Sequence, residues 1–264
     1  MLNRRRFLTL VAAFGVFGTV ATAHAADVLK VGAYPNNPPF EYKTPARAFE
    51  GFEIDVTKEV ATRLGMTTDI ADYGFQALFA GIASKRIDIA LSSITITPER
   101  LKTVAFTQPY YDSDAGVAAK TDSSISSIAD LKGKTIGVLS GSTGEKWAKE
   151  NAAADGFRAI KGYNSQQDMF LDLGNGRTDA VVSDIPGMQY LFIKQKGFGV
   201  KARIQTGEQY GLMMAKDNPL FDKVNNAISD MKKDGTLAKL HKKWFGVDAP
   251  AESSTVNVRP VPKA

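Results

Sequence analysis

The chain of 264 residues has 44% hydrophobic and 23% charged residues, a globular composition that excludes disordered and fibrous classes. Its formal net charge of +5 raises the question of a nucleic acid or an anionic membrane as partner. Cysteine is absent and the only histidines are His24 and His241, which excludes disulfides, thiolate metal sites, cysteine nucleophiles and histidine-cluster metal sites.

The first 25 residues predict an export signal. Arg4, Arg5 and Arg6 precede an apolar run from residue 7 to residue 20, and small residues follow up to Ala25, after which we predict cleavage. The run is shorter than the roughly 20 apolar residues of a membrane-spanning helix. Residues 3–9 also resemble a twin-arginine signal, so the Sec and twin-arginine routes both stay open. Removing three arginines lowers the net charge from +5 to +2, and the remaining charges are scattered, so we expect no nucleic-acid partner.

Hydrophobic periodicity then predicts two similar α/β units with largely parallel sheets. The elements of the first unit are a strand at 28–33, a helix at 52–64, a strand at 68–73, a helix at 75–83 and a strand at 87–91. The elements of the second unit are a strand at 135–139, a helix from about Glu145, a strand at 157–160, a helix at 165–173 and a strand at 180–182. A strand at 210–215 and helices at 220–231 and 237–245 follow.

Two motifs first suggest enzymatic or nucleotide chemistry. The small-residue loop 140–144 precedes a predicted helix and could cradle a phosphate, but the phosphate-loop pattern G-x-x-x-x-G-K-[ST] is absent, so a helix cap that offers hydroxyls to a small ligand fits better. A Ser-His-Asp triad would have to recruit His241, which lies on the last predicted helix. A packed or solvated histidine is the better interpretation there.

Arg100 is a candidate ligand residue. It follows the predicted strand at 87–91, and ligands of α/β sheets bind at the carboxyl ends of strands. With the hydroxyls of Ser93 and Thr95 it could bind a carboxylate, because a guanidinium donates two parallel hydrogen bonds to two oxygens. The alternative is a surface arginine in a helix that begins at Pro98.

Nine short motifs, in this order, resemble those of the periplasmic polar amino-acid-binding proteins of ABC importers, solute-binding family 3. They cover roughly residues 27–246 and comprise PPFE at 38–41, GFEID at 51–55, DIA at 88–90, TPER at 97–100, FTQPYY at 106–111, DLKGK at 130–134, GRTDAV at 176–181, DGT at 234–236 and KWFG at 243–246. The resemblance implies the type II periplasmic binding protein fold, with two α/β lobes joined by two hinge segments. The first lobe would comprise residues 26–116 and 209–247 and the second residues 117–208, with hinges near 115–119 and 207–211 and an extended or disordered tail at 248–264.

The resemblance also implies a site, without metal, cofactor or catalytic residue. In that family the matching arginine, Arg100, binds the ligand α-carboxylate and the matching aspartate, Asp184, binds the α-ammonium. Further contacts are implied for hydroxyl residues, for an aromatic wall and for the first loop: Ser93, Thr95, Ser142, Thr143, Phe75, Tyr34 and Asn37. A zwitterion that leaves water needs both of its charges met, so opposite charges in two lobes would draw the lobes together.

The expected function is a monomeric periplasmic receptor that delivers an amino acid to an inner-membrane ABC permease. Relatives that take basic amino acids usually carry an acid where this chain has Tyr34, which favours a neutral or polar L-amino acid. Glu41, Asp112 and Asp114 leave a cationic ligand open. One alternative is an exported dehydratase of a cyclic acid on the same scaffold, with Glu41 or Glu145 as its acid. The other is a sensory domain, which usually adjoins a membrane span and a signalling module.

Overall fold

A computed structural model describes residues 27–264. The predicted signal, its cleavage after Ala25 and its export route therefore lie outside the described residues. Within residues 27–264, no helix is long and apolar enough to cross a membrane.

The first lobe is built from the two ends of the described chain. Its elements are β1 (Val28–Ala33), β2 (Asn36–Asn37), β3 (Glu41–Lys43), β4 (Phe49–Glu50), α1 (Phe52–Arg63), β5 (Thr67–Asp72), α2 (Phe75–Ala83), β6 (Ile89–Leu91), α3 (Pro98–Leu101), β7 (Ala105–Phe106), β13 (Met213–Met214), α7 (Phe221–Lys233) and α8 (Thr236–Phe245). The main sheet has the order β5-β1-β6-β13-β7, and β2, β3 and β4 form a small separate sheet. Strand β1 runs parallel to β5 and β6, whereas β13 runs antiparallel to both of its neighbours.

The second lobe lies between these two ends. Its elements are β8 (Tyr111–Lys120), a 3-10 turn (Ala129–Leu131), β9 (Thr135–Leu139), α4 (Thr143–Asn151), β10 (Ala159–Tyr163), α5 (Gln166–Gly174), β11 (Ala180–Asp184), α6 (Ile185–Lys194) and β12 (Phe198–Tyr210). The sheet order is β10-β9-β11-β8-β12. The prediction of two α/β lobes is confirmed, but both sheets are mixed rather than largely parallel, because β8, β12 and β13 run antiparallel to their neighbours.

Helix α1 starts where the backbone makes a turn that only glycine tolerates. Gly51 has a φ of 137°, and a Cβ at this position would lie 2.1 Å from the carbonyl oxygen of Phe40. The helix then buries a stripe of apolar side chains against the sheet, including Ile54, Val56 and Val60. This close approach fixes the helix against the loop that leads into the cleft.

The lobes are joined by the paired strands β8 and β12. Tyr111 pairs with Tyr210 in the core of the first lobe, whereas Ala115 pairs with Ile204 in the core of the second. The chain therefore passes between the lobes at residues 112–114 and again at residues 205–209. The first of these two connections precedes the predicted hinge segment 115–119. A Cβ on Gly116 would lie 2.8 Å from Cγ1 of Ile185, so this glycine permits close packing within the second lobe.

The tail, for which the sequence predicts an extended or disordered course, is held against the first lobe by polar contacts. Ser254 donates through its backbone N–H and its hydroxyl to the carboxylate of Asp112, at 2.6 and 2.7 Å. Thr255 donates to the carbonyl oxygen of Tyr110 at 2.9 Å, and the ammonium of Lys232 donates to the carbonyl oxygen of Asn257 at 3.1 Å. Few large apolar residues mark this segment, so hydrophobicity alone does not reveal its docking.

Candidate functional site

A cleft lies between the lobes at the carboxyl ends of strands from both sheets. Strand β6 leads into Ser92 and Ser93, β9 ends at Leu139, and β11 ends at Asp184. The residues that line the cleft are Phe75, Ser92, Ser93, Thr95, Arg100, Leu139, Ser142, Thr143, Gly144, Gln166, Ser183 and Asp184. The loops at this edge of an α/β sheet follow the ends of the strands and leave the hydrogen bonds between strands intact. Polar side chains from several loops can therefore converge there.

Arg100 enters the cleft from the short helix α3. The hydroxyl of Thr97 caps this helix by accepting a hydrogen bond from the Arg100 N–H, at 3.1 Å, and Pro98 occupies its first turn. The guanidinium donates to the carbonyl oxygen of Thr95 at 2.7 Å and to that of Gly141, in the other lobe, at 3.2 Å. Burial lowers the pKa of Arg100, although an arginine remains protonated at neutral pH. Arg100 therefore presents a desolvated positive charge to the cleft.

The ring of Phe75 flanks this charge. The guanidinium carbon of Arg100 lies 5.8 Å from the centroid of Phe75 and 5.2 Å from that of Phe79, both within cation–π distance. The two rings meet edge to face, with centroids 5.8 Å apart. The aromatic wall thus orients the guanidinium.

Asp184 faces the cleft from the end of β11. Its carboxylate accepts a hydrogen bond from the hydroxyl of Ser93, in the other lobe, at 3.2 Å. Burial raises the pKa of Asp184 to about 7, and the nearby charge of Glu208 acts in the same direction, against the attraction of Arg100. Asp184 therefore combines partial burial with an incompletely compensated charge, which is typical of a group that meets a cation.

The predicted hydroxyl residues Ser142, Thr143 and Thr95 differ in the contacts that they make within the protein. Ser142 caps α4 by accepting from the Glu145 N–H at 3.1 Å, and Thr143 is the first residue of that helix. Thr95 donates to the carboxylate of Glu208 at 2.9 Å. The loop 140–144 is therefore a helix cap at the cleft wall, as its sequence favours.

Tyr34 and Asn37 lie beside the cleft, whereas the other seven predicted residues line it. The side-chain amide of Asn37 donates to the hydroxyl of Ser93 at 2.9 Å and to the carboxyl of Glu41 at 3.3 Å. The hydroxyl of Tyr34 accepts a hydrogen bond from the backbone N–H of Gln166 at 2.8 Å. Both side chains are buried, so they support the lining residues from behind.

Below Ser93 lies a pair of buried carboxyl groups that sequence reasoning missed as a unit. Glu53 accepts from the Ser93 N–H with both oxygens, at 3.0 Å each, and from the hydroxyl of Tyr110. Burial and the charge of Glu53 raise the pKa of Glu41 well above its usual range, and Glu41 Oε1 has no donor partner. A side-chain hydrogen bond joins Glu41 to Glu53, which requires one of the two carboxyl groups to hold a proton. The hydrogen bonds from the Ser93 N–H to Glu53 hold Ser93 at a φ of 41°, in the left-handed region.

Five other lining residues were also missed: Ser92, Leu139, Gly144, Gln166 and Ser183. Ser92 and Ser183 adjoin predicted site residues in the sequence and could have been found that way. Gln166 could not, because only the folding of α5 towards the first lobe brings it to the cleft. Glu208, which contacts Thr95, lies on β12, a strand that the sequence did not predict.

Two α/β lobes, paired connecting strands and a cleft with opposite charges on its two sides define a two-lobed binding protein. Residues 29–247 match the family model of bacterial extracellular solute-binding proteins, family 3. The chain belongs to this family, and the resemblance drawn from the nine motifs is confirmed.

Curated and solved relatives agree with this assignment. A histidine-binding periplasmic protein of Salmonella typhimurium is 34% identical over 251 residues, which cover 91% of this chain and 96% of the relative. The structure of an ancestral arginine-binding protein bound to arginine has a TM-score of 0.80 and 35% identity, and the match covers 84% of this chain and 100% of that chain. The structure of an ancestral arginine-binding protein bound to glutamine has a TM-score of 0.79 and 35% identity, and the match covers 85% of this chain and 100% of that chain. The ancestral amino-acid-binding protein AncCDT-1, described as a precursor of cyclohexadienyl dehydratase, has a TM-score of 0.74 and 33% identity, over 83% and 95%.

Proposed function

We propose that this protein is the solute-binding component of an ABC importer and that it binds an L-amino acid between its lobes. One observation carries the proposal: Arg100 and Asp184 present opposite charges to one cleft from different lobes. An α-amino acid carries the complementary pair, a carboxylate next to an ammonium. The guanidinium would bind the carboxylate through two parallel hydrogen bonds, and Asp184 would bind the ammonium.

Binding and closure are then coupled. The ligand would replace contacts that the site residues now make across the cleft, such as the hydrogen bond from Ser93 to Asp184. Because it touches both lobes only when they are closed, it stabilises the closed state by those additional contacts. The closed form would then be recognised by an inner-membrane permease on the periplasmic side.

For the ligand side chain we propose a neutral or polar group. Tyr34 stands where an acid would favour a cation, and its hydroxyl is already hydrogen-bonded to Gln166. Phe75 offers a flat surface for packing, and the structure of the ancestral relative with glutamine supports a polar ligand for this scaffold. A basic amino acid is the second candidate, because the relatives are named for histidine and arginine and the buried acid Glu208 adjoins the cleft.

Titration calorimetry with the twenty amino acids separates these candidates. We expect saturable binding of at least one neutral or polar amino acid, and tighter binding of arginine, lysine or histidine would transfer the proposal to a basic ligand. Binding of none would contradict the function itself. Uptake of the identified amino acid by cells that lack the gene should be restored by the wild-type chain and not by Arg100→Ala, which tests the link to a permease.

A dehydratase on this scaffold is the remaining candidate, favoured by the AncCDT-1 structure. The sequence offers carboxyl groups such as Glu145 and Glu41 as its general acid. Desolvation acts to raise the pKa of Glu145, but the hydrogen bond from the Gly141 N–H, at 2.8 Å, and the ion pair with Lys149, at 2.9 Å, together outweigh it. The pKa of Glu145 is therefore lowered, which disfavours this residue as an acid. Glu41 is fully buried behind Asn37. Turnover of a cyclic dicarboxylic acid by the purified protein, abolished by Glu145→Gln or Glu41→Gln, would establish the enzyme instead.

A further inference from the structure

Tyr34 and Gln166 form a hydrogen bond between the lobes that involves none of the charged groups of the cleft, and the side-chain amide of Gln166 also donates to Asn37, at 3.5 Å. Tyr34 follows strand β1 of the first lobe, and Gln166 is the first residue of helix α5 in the second. The Gln166 N–H donates to the hydroxyl oxygen of Tyr34 at 2.8 Å. Tyr34 is only 3% exposed and belongs to an apolar cluster that includes Phe75 of the first lobe and Leu139 of the second.

The start of α5 explains why this contact matters. The first backbone N–H groups of a helix have no acceptor within the helix. Ser165 caps α5, but its hydroxyl accepts from the N–H of Asp168, at 3.3 Å. The N–H of Gln166 finds its acceptor in Tyr34, across the cleft. When the lobes separate, this N–H loses Tyr34 as its acceptor and donates to water instead. The hydrogen bond between Gln166 and Tyr34 therefore exists only in the closed state.

We propose that Tyr34 is an interlobe latch, which stabilises closure through the Gln166 N–H rather than by contacting the ligand side chain. The inference rests on the proposed function, in which a ligand closes the lobes. A contact that belongs to the closed state alone adds the same free energy to the binding of every ligand that closes the protein. Tyr34 is therefore a positioning residue that sets overall affinity and leaves the choice among amino acids to the lining residues.

Tyr34→Phe removes the hydroxyl and leaves the ring. Calorimetry should show a ~2- to 13-fold loss of affinity, the range of one net hydrogen bond, and the factor should be equal for all amino acids that bind. The unfolding temperature of the ligand-free protein should stay unchanged. A loss that differs between ligands would assign Tyr34 to side-chain recognition, and an unchanged affinity for all of them would equally overturn the latch.

Tyr163→Phe is the matched control. The hydroxyl of Tyr163 is also buried and donates to the carboxylate of Asp172 at 2.8 Å, but both residues belong to the second lobe. Asp172 keeps its ion pairs with Lys161 and Arg177. Because this bond exists in the open and closed states alike, its loss should lower the unfolding temperature of the ligand-free protein and leave ligand affinity unchanged, the reverse of Tyr34→Phe.

A second measurement separates failure of the latch from failure of the proposed function. The chain has no cysteine, so Arg86→Cys and Lys196→Cys, both at exposed positions in different lobes, give one spin-label pair. Without added ligand, the distance distribution should contain a component at the closed separation, and Tyr34→Phe should diminish it. Absence of that component, or a component of unchanged size in Tyr34→Phe, contradicts the latch whether or not any amino acid binds. If no amino acid binds but the closed component is present in the wild type and smaller in Tyr34→Phe, only the proposed function is contradicted.

Discussion

Replacing Asp184 with asparagine should weaken ligand binding and stabilise the ligand-free protein at the same time. The carboxylate is the proposed partner of the ligand ammonium, and hydrogen bonds to charged groups contribute about 1.5 to 3 kcal/mol. Asp184→Asn should therefore lower affinity by about 10- to 150-fold at pH 8. Asparagine has nearly the same shape, so this loss reports the charge rather than the packing.

The gain in stability follows from the raised pKa of Asp184, about 7 against an ordinary value of 3.8. The folded state holds the proton more tightly than the unfolded state, so the stability contributed by this group is fully present below pH ~4 and is lost as pH rises through ~7. That shift corresponds to an upper value on the order of 4 kcal/mol. Because Asp184 is only partly buried, water at the cleft reduces it, and we expect Asp184→Asn to be ~2 kcal/mol more stable than wild type at pH 8.

Ligand affinity should also depend on pH in a defined direction. Binding an ammonium requires ionised Asp184, and a group with a pKa of about 7 is roughly one-tenth ionised at pH 6 and nine-tenths ionised at pH 8. Wild-type affinity should rise about tenfold between these pH values, and that of Asp184→Asn should stay flat. Calorimetry at several pH values and urea unfolding of the ligand-free protein measure the two effects.

Asp179→Asn provides the matched control for both measurements. Asp179 directly precedes β11, the strand that ends at Asp184, but it does not line the cleft. Its carboxylate accepts a hydrogen bond from the Thr135 N–H at 2.7 Å and pairs with Arg158 at 3.2 Å. Its loss should leave affinity unchanged and bring no gain in stability. A ligand-free Asp184→Asn that is less stable than wild type at pH 8, or that keeps the wild-type pH profile of affinity, would refute the reasoning.

Three further changes test other contacts. Arg100→Ala should lower affinity by ~100-fold or more in calorimetry, because it leaves the buried carboxylate of the ligand unpaired. Arg100→Lys should recover only part of the lost affinity. If Arg100→Ala bound as tightly as wild type, Arg100 would not belong to the site. Gly51→Ala should lower the free energy of unfolding in urea by ~3 kcal/mol, because its Cβ would collide with the Phe40 carbonyl oxygen, whereas Gly65→Ala, also at positive φ but in open space, should cost ~1 kcal/mol. Truncation after Asp248 should lower it by ~2 kcal/mol, because Asp112, the Tyr110 carbonyl and Lys232 lose partners; an unchanged unfolding curve would show that the tail does not dock in solution.

Local patterns predicted most of the regular elements, because each depends on periodicity within a few residues. The strand at 135–139 and the helix at 75–83 lie where hydrophobic periodicity placed them. Helix α6 was missed, and so was the long strand β12, whose polar residues pair with β8 where the chain crosses between lobes. The predicted strand at 210–215 is divided between the end of β12 and β13, because the chain enters two different sheets there.

The candidate site shows the same division. Arg100 could be found from its position after a strand and beside a helix cap, whereas Asp184 came from the family resemblance. The burial that raises the pKa of Asp184, and the approach of Glu208 from β12, depend on residues far apart in the chain.

The sequence by itself determined the two α/β lobes, the family and the candidate charged pair, since these depend on local periodicity and on short motifs in a fixed order. Only the tertiary structure decided that Tyr34 contacts a helix N-terminus in the opposite lobe, that Glu53 holds Ser93, and that the tail docks on Asp112. These contacts join residues that are distant in the chain through single hydrogen bonds. A hydrogen bond depends on distance and direction in space, and a linear pattern of residue types carries neither.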